Sequence, residues 1–508
     1  MNYLPPVFFQ TSGKSKSGIE IAILLFLTVC LGFSLGISSL YSSLSFLVFL
    51  IIPIFLAFLE QSKTILERVL LGLFFGFGLF LRTTASGICY SIHIYGNINF
   101  YLAGLITFLV LLFLSLRFVF FAILINGQSG WYVPTFWVFT EWIQFILPFG
   151  IPWNFVGEGQ SRSILSGYLP IFGILGLSWI TIFLSSLIYA ISKRNHSKKI
   201  KNFFFILLIF FVGFLFNQVK WTKKSERSIN VVIFQPNIDP REKWLPENHL
   251  EIADQFLNWT QKSLGKGNLL IWPEDALPIA EPMQSNYLGD VSKLLKKHKK
   301  TLIVGTPLFQ RGKIFNSIQI VGESFGIYKK RRLFPFGDFI PFRSILQPFL
   351  DLLKIPNLDL TPGPNQQDLL KIARLKAALL ICYEVLFPDL VRSEIVRGAD
   401  FIITITDDSW FGDSAIKRQH LEAGRIRAIE TGRYLVIGSN NGISGVFNPS
   451  GRLTAAIKES TFGKVSATVF SMTGKTPWII WGNFPLYLLF LVSAIKLIRK
   501  AKKSLKIL

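Results

Sequence analysis

The distribution of apolar and polar positions divides the chain into two textures. Up to about residue 220 the apolar residues run in long blocks separated by short polar loops. A helix that crosses a bilayer needs about 20 predominantly apolar residues. Eight stretches approach or reach that length, near 19–38, 43–59, 69–86, 101–125, 133–149, 166–192, 203–219 and 480–497. The first follows a polar stretch, shows no small-residue cleavage site and is followed by further spans, so it is expected to be retained and not cleaved as a signal peptide. Between 228 and 472 the runs shorten and alternate with amphipathic segments. Strands are expected at Ile229–Phe234, Leu269–Trp272, Thr301–Gly305, Ser317–Val321, Ala377–Ile381, Phe401–Thr406, Tyr434–Gly438 and Ser444–Asn448. Helices are expected over 247–264, 284–298, 387–397 and 415–431, the last capped by Asp413 or Ser414. Turn signals at 438–451 mark a β-rich return. Strand alternating with helix predicts an α/β layered fold. The expected organisation is a membrane domain of seven helices over 1–220, a mixed α/β domain over 221–476, and an eighth span with a basic tail over 477–508.

Charge fixes an expected orientation. The net charge is +23, from 53 Lys and Arg against 30 Asp and Glu. Basic residues gather at Lys14 and Lys16, at Lys63 and Arg68, in the loop 193–201, and in the tail at Lys496, Arg499, Lys500, Lys502, Lys503 and Lys506. With eight spans all four groups fall on one side, which the positive-inside rule makes the cytoplasm. Residues 220–477 then face the opposite side. Topology and anionic lipid account for this charge, so a nucleic-acid partner is not expected. Lys293, Lys296, Lys297, Lys299 and Lys300 read as a solvated helix face. Only one of the three cysteines lies in the α/β domain, so that domain holds no internal disulfide and stands on its own core.

That cysteine carries the chemistry. Cys382 closes the apolar run 377–381 and is followed by Tyr383 and Glu384, where a strand-borne nucleophile would sit. Alone it reads more readily as a buried structural thiol. Glu274 lies just past another strand, in Trp272-Pro273-Glu274-Asp275. A third segment, Tyr328-Lys329-Lys330-Arg331-Arg332, offers lysines. Separately these are a turn acid and a solvated basic loop. Together a Glu, a Lys and a Cys make an acyl-transfer set. The carboxylate takes the thiol proton, the thiolate attacks a carbonyl, and the ammonium holds the oxyanion and favours the thiolate. No Ser–His pair or metal-ligand cluster competes, and no cofactor is implied. His420, on the 415–431 helix, reads as structural.

These segments resemble the Glu-Lys-Cys motifs of the nitrilase superfamily. More specifically, Leu333-Phe334-Pro335-Phe336-Gly337, Trp410-Phe411-Gly412-Asp413, Gln235-Pro236-Asn237-Ile238 with Lys243-Trp244, and Thr140-Glu141-Trp142 with Pro152-Trp153 resemble bacterial apolipoprotein N-acyltransferases. The order of the motifs and the topology extend the likeness over nearly the whole chain. The resemblance implies an extracytoplasmic nitrilase-like αββα sandwich set between the seventh and eighth spans. It assigns Glu274 as general base, Lys330 rather than Lys329 as the triad lysine, and Cys382 as the acylated nucleophile. Tyr383, Glu384, Asp338, Trp244 and Trp410 match supporting positions. Asp338 stands where the family usually has Glu. Asp407 stands where Asn is common, and a carboxylate there raises the thiol pKa if it lies close.

The implied reaction is a two-step acyl transfer. A phospholipid, usually phosphatidylethanolamine, gives its sn-1 acyl chain to the cysteine. The N-terminal amine of a diacylglyceryl-cysteine apolipoprotein then takes it. The expected location is the bacterial inner membrane, with the catalytic domain periplasmic and both termini cytoplasmic. Phe334, Phe336, Phe339, Phe342, Trp410 and Phe411 could form an apolar doorway for lipid. A membrane-anchored amidase shares the acyl-enzyme step and is the competing enzyme reading. Glu141, an acid inside the fifth span, is the best hint of a transporter or receptor with a sensor domain.

Overall fold

The structure, a computed structural model, describes residues 17–126, 130–147, 150–193, 196–279, 282–352 and 359–505. Lys14, Lys16, Arg194 and Lys506, used above for orientation, lie outside the described residues.

Five helices among the described residues are long and apolar enough to cross a membrane: Gly18–Leu40, Ser42–Gln61, Phe100–Leu124, Ile164–Lys193 and Lys199–Gln218. The three other expected spans are also helical. Ile65–Thr83 carries Glu67, Arg68 and Arg82, Tyr132–Ile146 has 15 residues, and Phe484–Leu505 carries Lys496, Arg499 and Lys500. Glu141 lies in this bundle as a structural acceptor. Its Oε1 takes hydrogen bonds from Trp137 Nε1 at 2.9 Å and from the Val156 amide at 3.0 Å.

The α/β domain is two six-stranded sheets face to face. The first runs β12-β1-β2-β3-β4-β5, with β1 Lys223–Gln235, β2 Leu269–Ile271, β3 Thr301–Gln310, β4 Lys313–Gly322, β5 Gly326–Lys329 and β12 Gly463–Thr473. The second runs β11-β10-β9-β8-β7-β6, with β6 Leu370–Ile372, β7 Leu375–Ile381, β8 Phe401–Thr406, β9 Leu435–Ser439, β10 Gly445–Phe447 and β11 Leu453–Ala456. Side-chain alternation assigns the faces. Val231, Ile233, Leu269 and Ile271 meet Ala377, Leu379, Ile381, Ile403 and Ile405 between the sheets. Val232, Leu270, Trp272 and Leu302 face the helices His249–Gln261 and Met283–Lys297. This is the expected αββα sandwich.

The outer face of the second sheet joins the two parts of the protein. Ala378, Leu380 and Ile402 share one continuous core with Phe145, Trp153 and Tyr168 of the helical bundle. Between them lies Ile416–Thr431, whose polar groups reach into the bundle. Gln419 donates to Asn154 Oδ1 at 2.6 Å, Glu422 pairs with Arg162 at 2.6 Å, and Glu430 accepts from the Ile174 amide at 2.6 Å. This helix begins on Ala415 with no side-chain cap, not on Asp413 or Ser414. The Ser414 hydroxyl only meets the Ile416 amide, at 3.4 Å.

Candidate active site

Parallel pairing sets the ends of β1, β2 and β3 level with one another, and likewise those of β7, β8 and β9. The carboxyl ends of β2, β7 and β8 lead straight into Glu274, Cys382 and Asp407. In open α/β sheets that edge is where ligands bind.

Cys382 sits at φ +51°. A non-glycine residue in the left-handed region is strained and persists only where its surroundings hold it. Glu384 does the holding. Its Oε2 accepts from the Ile381 amide and the Tyr328 hydroxyl, both at 2.8 Å. Its Oε1 accepts from the amides of Arg331 at 2.7 Å and Arg332 at 3.1 Å. One buried carboxylate thus ties the cysteine turn to the segment that follows Lys330. Burial pushes the Glu384 carboxyl up, and the hydrogen bonds from the Ile381 amide and the Tyr328 hydroxyl oppose it.

Lys330 follows β5 and is 2 % exposed. Its ammonium lies 2.8 Å from Asp338 and 3.5 Å from Glu274. Burial alone would lower its pKa, but Asp338, then Glu274 and Cys382, hold it well above the usual lysine range, so it is a permanent cation. Lys329 points elsewhere. It lies over the Phe315 ring and bonds Gln310 at 2.5 Å. The shorter Asp338 still reaches Lys330, and also accepts from the Phe334 amide at 2.8 Å.

Glu274 is buried and fixed at both oxygens. Oε1 accepts from Asn316 Nδ2 at 2.7 Å and Oε2 from the Asp407 amide at 2.8 Å. Gly305 is needed beside it, since a Cβ there would come within 2.4 Å of the Pro273 carbonyl and 2.6 Å of the Glu274 Cα. Asp275 follows at φ +50°, its carboxyl pushed up to about 7 by burial and by Glu274.

The Cys382 residue is part-exposed, yet its thiol lies deep enough for burial to push it well above the usual range. Glu274 raises it further, Lys330 lowers it, Asp408 raises it, and a hydrogen bond to the Thr406 side chain lowers it. The Cys382 thiol is therefore favoured in its neutral form. A buried carboxylate, a buried ammonium and a thiol thus converge at one site, a set of groups capable of general-base-assisted acyl transfer.

Asp407, expected to disturb the thiol if close, is engaged elsewhere. It pairs with the buried Lys243 and accepts from Asn440 at 2.9 Å. The second carboxylate that raises the thiol is its neighbour Asp408. Asp408 Oδ1 meets Thr406 at 3.0 Å and His420 Nδ1 at 2.6 Å, and the His420 ring stacks on Trp153 at 5.4 Å. Asn316, Thr406 and Asp408 were not singled out from the sequence, and Lys243 entered only as part of the Lys243-Trp244 motif. A polar residue inside an apolar strand, as at Asn316, is the signal that could have found the first.

The aromatic positions divide by depth. Trp244 is 40 % exposed, and Phe336 and Phe342 are exposed, while Phe411 is buried against Phe334 and Trp153. Trp410 is part-buried and packs edge-on against Tyr95 at 4.6 Å, and its carbonyl accepts from Ser91 at 2.5 Å. Gly412 (φ +56°) passes so close to Tyr90 that a Cβ would lie 2.7 Å from the ring. Segments of the helical bundle thus roof the loop that follows β8.

Residues 30–187 match the family model described as apolipoprotein N-acyltransferase N-terminal domain, and residues 231–476 match carbon-nitrogen hydrolase. The chain is 34% identical over 426 residues to the apolipoprotein N-acyltransferase of Coxiella burnetii, covering 82% of this chain and 87% of that one. It is 32% identical over 443 residues to the protein of the same name from Wigglesworthia glossinidia brevipalpis, covering 84% and 88%. Among solved structures, Saccharomyces cerevisiae Nit3, a member of branch 10 of the nitrilase superfamily, aligns with a TM-score of 0.37 at 19% identity, covering 50% of this chain and 92% of that one.

Proposed function

The chain belongs to the apolipoprotein N-acyltransferase family and is an acyltransferase of lipoprotein maturation, and on that premise we propose that Cys382, Glu274 and Lys330 carry its chemistry. The observation that carries this reading is their convergence at one buried site, Glu274 and Lys330 3.5 Å apart with the Cys382 thiol under the influence of both.

In the first half-reaction Glu274 removes the thiol proton as Sγ attacks the sn-1 ester carbonyl of a phospholipid, phosphatidylethanolamine being the preferred donor. The Lys330 ammonium holds the oxyanion. The ester C–O bond breaks, Glu274 returns the proton to the departing alkoxide, and a lysophospholipid leaves. In the second, the α-amine of a diacylglyceryl-cysteine apolipoprotein attacks the thioester and passes a proton to Glu274. The amide forms and the thiol regains its proton. Asp338 keeps Lys330 aimed, Glu384 and Tyr383 hold the cysteine turn, and Trp244 and Trp410 border the lipid entrance.

The reading includes eight spans over 1–220 and 477–508, an inner-membrane location, and a periplasmic domain over 221–476. The shared placement of the basic loops supports it. The test is the full chain in phosphatidylethanolamine vesicles labelled in the sn-1 acyl chain. Label is expected first on Cys382 and then on a diacylglyceryl-cysteine peptide. Release of label only as free fatty acid overturns the acceptor assignment.

A further inference from the structure

A cavity of about 240 Å³ adjoins the triad-lysine segment and is lined by Phe145, Arg331, Arg332, Phe387, Asp389 and Ser393 among others. Its two arginines differ. Arg331 is committed to Glu394 at 2.9 Å and the Tyr328 hydroxyl at 3.1 Å. Arg332 is exposed, lies over the Phe387 ring at 5.4 Å, and forms no ion pair among the described residues. Asp389 is also exposed, and accepts one long hydrogen bond, from Asn483 at 3.5 Å. The cavity therefore presents one cation and one anion with no ion-pair partner among the described residues, although Arg392 and Arg427 as well as Arg332 act on Asp389 from a distance. It also lies at the start of the helix Pro388–Val396, whose N-terminus favours anions.

The walls show what reaches it. Phe145 is in the last turn of Tyr132–Ile146, and Asn483 immediately precedes Phe484–Leu505. These two apolar helices pack together through Trp142 on Tyr487 at 5.8 Å and Phe139 on Phe490 at 5.3 Å. Next to the cavity they leave Ile146, Leu147, Phe484 and Leu488 exposed. An acyl chain lying along that surface brings its headgroup to the cavity. We propose that this cavity binds the headgroup of an ethanolamine phospholipid of the surrounding leaflet, with the phosphate on Arg332 and the ammonium on Asp389. A guanidinium offers the planar donor fork that suits phosphate, and the opposite charges select a zwitterion over an anionic lipid.

The site needs only that these helices lie in a bilayer, so it is tested on the full-length Cys382→Ala variant, where a failure of the acyl-transfer reading leaves the readout untouched. Native mass spectrometry in detergent follows retention of dilauroyl phosphatidylethanolamine and dilauroyl phosphatidylglycerol. Arg332→Gln is expected to weaken both by roughly tenfold or more, the loss of a charge-assisted contact. Asp389→Asn is expected to weaken only the ethanolamine lipid. Unchanged retention of both lipids in Arg332→Gln overturns the proposal. So does displacement of the lipid by millimolar inorganic phosphate, which marks a small-anion site instead.

Discussion

The hydroxyl of Tyr383 donates a hydrogen bond to the carbonyl of Gly150, 2.6 Å away and 233 residues earlier in the chain. Tyr383 is the residue after the cysteine, and Gly150 follows the helix Tyr132–Ile146 of the apolar bundle. The tyrosine ring also packs edge-on between Phe334 at 5.1 Å and Phe387 at 5.0 Å. The turn that carries Cys382 is thereby pinned to the helical bundle as well as to its own sheet. Tyr383→Phe keeps the packing and loses the bond. It is expected to lower stability by roughly 1 kcal/mol, read as a small fall in unfolding temperature, with acyl-enzyme formation retained. Tyr383→Ala also empties a buried aromatic site, and is expected to cost roughly 3–5 kcal/mol and most of the activity.

Only one of the three free cysteines sits at the site. Cys30 lies exposed on Gly18–Leu40, and Cys89 lies in the short helix Ala85–Tyr90. Cys382→Ala is expected to abolish labelling by an acyl-labelled phospholipid on a gel, and Cys30→Ala and Cys89→Ala to leave it intact. Label persisting on the Cys382 variant sinks the assignment.

The two adjacent lysines make a sharp internal control. Lys330 is buried between Asp338 and Glu274, whereas Lys329 lies over Phe315 at 4.2 Å. Lys330→Ala is expected to cost roughly 10²–10³-fold in acyl-enzyme formation, the usual loss of an oxyanion donor. It also leaves two carboxylates facing each other without their cation. Glu274→Gln is expected to cost roughly 10²–10⁴-fold. Lys329→Ala should stay close to the parent rate. Equal losses at the two lysines would show that the roles are shared or reversed.

What was legible in the sequence follows from how local each signal is. Glu274 and Cys382 end apolar runs that could only be strands, so their placement at a sheet edge was readable. The choice of Lys330 over Lys329 came from the resemblance, because two adjacent lysines carry no local mark of which one turns inward. The pairing of Asp407 with Lys243 was not readable, since it joins segments 164 residues apart. The strand Gly463–Thr473 also escaped. Its outer half alternates small and polar side chains, and it is a strand because the extended β1 pairs with it from Lys223 to Gln235. β5, β6 and β11 have three or four residues each, too few to show a period.

The thiol predicts its own pH behaviour. A free cysteine ionises near 8.5. Burial first, and Glu274 next, push the Cys382 thiol well above that range, so the neutral form prevails through neutral and mildly alkaline pH. In the absence of lipid, alkylation of Cys382 by iodoacetamide is expected to be slow and to keep rising with pH, with no plateau near 8.5, when followed by peptide mass spectrometry. Lys330→Ala removes the charge that favours the thiolate and should slow alkylation further. Folding carries the matching sign. A group whose pKa is raised in the folded state contributes most at low pH, so its contribution falls as pH climbs past the unfolded thiol value toward the folded one. A plateau near 8.5 would mean that the thiol is not shielded as described.

Topology and acceptor are tested together. Lys63 lies between the second and third helices and Arg68 in the first turn of the third, Lys193 ends Ile164–Lys193, Lys199 and Lys201 open Lys199–Gln218, and Lys496 to Lys503 close the last helix. With eight spans these groups share one side, and the sandwich, which begins at Lys223, faces the other. A reporter fused after residue 225 is expected to be active only outside the cytoplasm, and one fused after Leu508 only inside. In the proposed topology a diacylated lipoprotein would present its amine on that outer side, level with a domain joined to the bilayer at both ends. Depleting the protein in its host is therefore expected to leave lipoproteins with a free N-terminal amine, open to Edman degradation. N-termini that stay blocked after depletion would remove the amine as acceptor and make water the better candidate, with the same Glu274, Lys330 and Cys382 serving hydrolysis.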